Sequence, residues 1–109
     1  MNQRNNQAAE ALASSVVLRG IDARTFSEME SFVKDLEGRP TERLLRDLPQ
    51  LAELSATKVS LVSYVMAGKY RAAEPVDREK IRESVAATVE LLPAGEQKER
   101  VSAILERLR

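Results

Sequence analysis

The sequence predicts an all-α fold, a small irregular antiparallel bundle of about six or seven short helices. Three observations carry that expectation. Apolar residues recur at spacings of three and four, no segment alternates with period two over a strand-like length, and the four glycines and four prolines read as punctuation between helices. With 109 residues, 43% apolar and 4% aromatic, the chain suits one helical domain, 1–109, with a thin core.

Residues 1–6 are polar and are expected to form a disordered tail. A first helix is expected from Gln7 to Arg19, with Ala8, Leu12 and Val16 on one face and Gly20-Ile21 as its C-terminal stop. The second begins at Thr25, where Thr25-Phe26-Ser27-Glu28 has the form of a capping box. Its stripe is Phe26, Met29, Val33 and Leu36, and because both phenylalanines lie on it, it is expected at the centre of the core. Gly38 and Pro40 close it. Thr41 is expected to cap a third helix in which Leu44, Leu45 and Leu48 face inward.

Pro49 lacks an amide hydrogen and crowds the carbonyl four residues back, so a break is expected there, followed by a short helix from Pro49 to Ser55. The apolar phase lapses at Ser55-Ala56-Thr57-Lys58, a turn, and resumes as Val59, Leu61, Val62, Val65 and Met66, with a stop at Gly68. Asp77 is the expected N-cap of the next helix, Val76 its staple against Ile81, and Val85, Thr88 and Leu92 continue its face. Pro93-Ala94-Gly95 breaks it. The final segment, 95–109, carries Val101, Ile104, Leu105 and Leu108 and is a candidate dimerisation helix.

Composition narrows the function. Seventeen cationic and seventeen anionic side chains give a net charge of zero, which excludes the basic excess of a non-specific nucleic-acid coat and the acidic excess of a solvating tail. The chain has neither Cys nor His, so thiolate chemistry, imidazole or thiolate metal sites and His-based acid–base mechanisms are absent. Ser14, Ser15, Ser60 and Ser63 have no base of the usual kind, and the pairs Glu79/Glu83 and Glu96/Glu99 read as solvated helix faces. No catalytic residue, metal or cofactor is expected. The run Arg78-Glu79-Lys80-Ile81-Arg82-Glu83 reads as surface ion pairing. No apolar run reaches the roughly 18 to 20 residues of a membrane span, and no secretory signal is seen, so a cytoplasmic location is expected.

The segment from Leu51 to Arg71, LAELSATKVSLVSYVMAGKYR, is the most informative. It resembles the helix-turn-helix of lambda-repressor-like and lac-repressor-type DNA-binding domains, with residues 41–92 as the candidate core. The resemblance places Leu51, Ala52, Val62 and Val65 on buried faces. It implies that Lys58, Val59, Ser60, Ser63 and Tyr64 face the major groove, and that Gln50, Lys69 and Arg71 meet phosphates. Ala56 stands where the family usually has the turn glycine. Residues 39–71 carry Arg39, Arg43, Arg46, Lys58, Lys69 and Arg71 against Glu42, Asp47 and Glu53, a local excess of three positive charges. The reading that follows is a non-catalytic transcriptional regulator that binds double-stranded DNA as a dimer. The alternative, from a different class, is a helical protein–protein interaction module, such as an adaptor, an inhibitor or a death-fold-like bundle, with no nucleic-acid role.

Overall fold

A computed structural model describes residues 23–108. These form five helices: α1 (Ala23–Gly38), α2 (Thr41–Leu51), α3 (Ala56–Ala72), α4 (Pro75–Leu91) and α5 (Glu96–Glu106). The described residues contain no strand, and the fold class is all-α. The tail over 1–6 and the helix expected over Gln7–Arg19 lie outside the described residues. The chain divides after Arg39 into two compact units.

In the first unit, Val33 and Leu36 of the α1 stripe are buried, whereas Phe26, Met29 and Phe32 are half-buried. Three i,i+4 ion pairs, Arg24–Glu28, Glu30–Lys34 and Asp35–Arg39, run along the polar side of this helix. In the second unit α3 buries the most residues, seven from Val59 to Tyr70. Val65, Met66 and Ala67 at successive helical positions let α3 pack on several sides.

In the second unit, each of the four helices α2 to α5 touches the other three, and α4 and α5 share the widest contact. Leu44, Leu48 and Leu51 of α2, Val62 and Met66 of α3, Ile81 and Val85 of α4, and Val101 and Ile104 of α5 supply the core, joined by Leu108. The last helix therefore spends its apolar stripe inside its own unit. Val101 and Leu108 are 0% exposed and Ile104 is 1% exposed, while Leu105, the fourth residue of the stripe expected in the 95–109 dimerisation helix, is half-buried.

Local corrections concern where helices begin and end. Pro49 does not split α2, which continues to Leu51. Proline removes one donor and crowds one carbonyl. Near a helix C-terminus that costs little beside the burial of Leu51, which needs the helical register to persist. Thr41 is the first helical residue after Pro40, whose carbonyl accepts from the amides of Arg43 and Leu44. Gly68 sits within α3 rather than ending it, between buried Ala67 and Tyr70. Asp77 lies in the first turn of α4, after Glu74 at the N-cap and Pro75 at the first position. Val76 does not staple: it is 64% exposed, while Ile81 is buried. Gly95 opens α5 at φ 153°, ψ −173°, a conformation that is essentially reserved for glycine.

Two arginines reach the ends of α2 and α3, neither of which is closed by a glycine. Helix α2 is followed by Ala52 and α3 by Ala73, so neither has the usual left-handed glycine stop. Arg78 donates from Nε to the Ala73 carbonyl and from Nη2 to the Arg71 carbonyl, both at 2.9 Å, with its guanidinium 6.0 Å from the Tyr70 ring centroid. Arg100 does the equivalent for α2. Its Nη1 donates to Ala52 O at 3.0 Å and Leu54 O at 2.7 Å, while Gln97 Nε2 donates to Pro49 O. Arg78 thus leaves the expected surface ion pairing, in which Arg82 and Glu79 remain at 3.9 Å.

Candidate functional site

The helix-turn-helix expectation requires a turn at Ser55–Lys58 and a reading helix that begins at Val59. The turn instead occupies Ala52–Ser55, one residue after α2 ends at Leu51, and α3 starts at Ala56. Ser55 is the N-cap, with φ −60° and ψ 156°, and its Oγ accepts from the amide of Lys58 at 3.3 Å. A serine three residues before a free amide nucleates the helix directly. Ala56 is therefore helical, and no non-glycine residue among those described has a positive φ. The register is earlier than the resemblance requires, so the positions assigned to the groove lie deeper along the helix.

That shift separates the candidate residues. Gln50, Lys58, Ser60 and Arg71 are exposed, and Tyr64 and Lys69 are half-buried. Val59 and Ser63 are buried at 8% and 7% exposure. Val59, Ser60 and Ser63 line one wall of an open groove of about 210 Å³, and Arg100, Ile104 and Arg107 line the other. Ala56 and Ala103 lie in the same groove, and their short side chains are what leave the space. The edge of α3 expected to enter DNA is thus flanked by α5, not presented alone.

Electrostatics in this unit are balanced. Residues 40–108 carry eleven cationic and eleven anionic side chains. Arg43 pairs with Asp47 at 3.7 Å; both are counted in 39–71, so the local excess of three stays and is offset by the rest of the unit. Arg100 pairs with Glu96 at 2.6 Å. Among the described residues no group of three or more His, Cys, Asp or Glu is placed to hold a metal ion, and no helix is long and apolar enough to cross a membrane.

Sequence reasoning missed Gln97, Arg100 and Arg107. Their partners lie some 48 residues away in the chain for Gln97 and Arg100, and no local spacing signals a guanidinium that closes a distant helix end. The absence of glycine from the Ala52–Ser55 turn was the available clue. No protein-family model, curated protein or solved structure matches the chain.

Proposed function

We propose that this chain is a non-catalytic helical module for protein–protein interaction that docks through the outer face of α4. The observation that carries the reading is the two-faced character of that helix. Ile81 and Val85 are buried, whereas Val76, Lys80, Ala87 and Leu91 form an exposed line on the opposite side. Val76 and Leu91 are exposed large apolar residues, at 64% and 85%, about 22 Å apart along the helix axis. A face with apolar contacts at both ends and charge between them suits a helix-sized partner segment.

The DNA-binding reading is kept beside it because Gln50, Lys58, Ser60 and Arg71 are exposed around the α2–α3 turn and the start and end of α3. Fluorescence anisotropy on duplex DNA across a salt series separates the two. The interaction reading predicts affinity no better than the non-specific range of roughly 10⁻⁴ to 10⁻⁶ M, with the salt slope unchanged in Lys58→Ala/Lys69→Ala. Loss of affinity with a slope reduced by about two in that double variant would favour DNA. On the protein side, a photo-crosslinking residue at position 76 or 91, placed in the native cells, should give one discrete protein adduct absent from position 46. Identical adduct patterns from all three positions would overturn the reading.

A further inference from the structure

We infer that the segment docking on α4 is a cationic amphipathic helix, whose positive edge meets carboxylates along the groove between α4 and α5. The inference rests on the docking reading above and adds the chemistry of the partner. The groove holds about 460 Å³, and Ala86 of α4 lines it together with Leu105 and Leu108. Glu79 and Glu83 on one side and Glu106 on the other give it an acidic rim, and all three are exposed. Arg82, the cation among the lining residues, lies 3.9 Å from Glu79.

The acidic rim continues along the helix. With 3.6 residues per turn, Glu79, Glu83 and Glu90 lie within about 40° of one another, on the α5 side of the line through Val76, Lys80, Ala87 and Leu91. Asp77, Glu79, Glu83 and Glu90 are exposed on α4 against Lys80 and Arg82. A second copy does not suit this surface. A two-fold antiparallel pair brings like flanks together and sets Glu79, Glu83 and Glu90 against their own images, whereas a parallel pair sets Lys80 against Lys80. A partner helix with an apolar face and a lysine- or arginine-rich edge answers both features. Its apolar side chains cover Val76, Leu91 and the mouth of the groove, and its cations neutralise the flank.

The test is a titration of the full, isotope-labelled chain followed by amide chemical shifts. The probes are two peptides of about 14 residues, enough to span the α4 face as a helix, sharing one leucine face and carrying lysine or glutamate on the other. The lysine peptide should give saturable shifts at Val76, Glu79, Glu83, Ala86, Leu91 and Leu105 that weaken as salt rises, and the glutamate peptide none. Glu79→Gln/Glu83→Gln should lower affinity for the lysine peptide about fivefold, the worth of two exposed ion pairs, with circular dichroism and melting unchanged. Equal affinity for both peptides, no saturable shift from either, or a lysine-peptide affinity untouched by the double substitution overturns the cationic partner. Docking on α4 is judged separately: loss of peptide binding in Val76→Ser/Leu91→Ser upholds that face, and binding that keeps its dependence on Glu79 and Glu83 there supports the acidic groove but removes the face. A scrambled lysine peptide that binds as well overturns the amphipathic assignment. Shifts at the same amides on concentrating the chain without peptide identify a second copy as the occupant and overturn the inference.

Discussion

Arg100→Ala is expected to lower the unfolding free energy of the second unit by about 2–4 kcal/mol, because one side chain holds two carbonyls of the turn that follows α2. Both acceptors lie in part-buried bonds across 46 and 48 residues of sequence, so truncation leaves polar groups poorly solvated and unties α5 from the α2–α3 turn. The melting temperature should fall by roughly 8–32 °C, at about 4–8 °C per kcal/mol for a unit of this size. Arg100→Lys should recover less than half of the loss, since a point charge cannot reproduce two diverging N–H bonds. Glu96→Gln should cost no more than about 0.5 kcal/mol, because the Glu96 side chain is 76% exposed and its ion pair is screened. Urea unfolding followed by circular dichroism checks all three. An Arg100→Ala protein within 0.5 kcal/mol of the parent by that measurement contradicts the capping role.

Leu48→Ala should cost more still, about 3–5 kcal/mol. Leu48 is fully buried on α2, which like its three neighbours touches every other helix of the unit, so the vacated volume lies in the shared core. At roughly 0.05–0.15 kcal/mol per residue, a unit of about 70 residues holds only about 3.5–10 kcal/mol. The variant is expected to be largely unfolded at 37 °C, with weakened protection of amides throughout α2 to α5. Leu48→Met keeps the volume and should cost less than about 1.5 kcal/mol. If Leu48→Ala melts within 5 °C of the parent, α2 does not sit at the centre of the unit.

Much of the architecture was legible because burial in helices follows their period. The inward positions Leu44, Leu48, Val62, Val65, Ile81, Val85, Val101, Ile104 and Leu108 were all read from spacing, and all are buried. The stops at Gly38-Arg39-Pro40 and Pro93-Ala94-Gly95 were legible too, whereas the ends around the α2–α3 turn were not. Pro49 reads as a break until the burial of Leu51 and the bond from Gln97 are known. Ser55 was read as part of a lapse in pattern, yet its hydroxyl starts α3 one turn early.

The same shift explains the candidate site. Lys58 and Ser60 were rightly expected on the surface, but Val59 and Ser63, four residues apart, form the edge that lines the groove with α5. Nothing in residues 51–71 distinguishes an edge that faces a groove in DNA from one that faces a neighbouring helix. The distinction rests on Arg100, Ala103, Ile104 and Arg107, far along the chain.

Thiol reactivity tests that placement most directly, because the chain has no cysteine and a single reporter can be introduced at will. Lys58→Cys and Ser63→Cys lie less than two turns apart on α3, one exposed and one buried. With α5 beside α3, the reporter at position 63, at 7% exposure on the wall of the groove, should react with a soluble aromatic disulfide severalfold more slowly than the reporter at 58. Comparable rates at the two positions, in proteins with unchanged circular dichroism, would mean that this edge of α3 faces water as fully as Lys58 does, which contradicts the seating of α5 beside it.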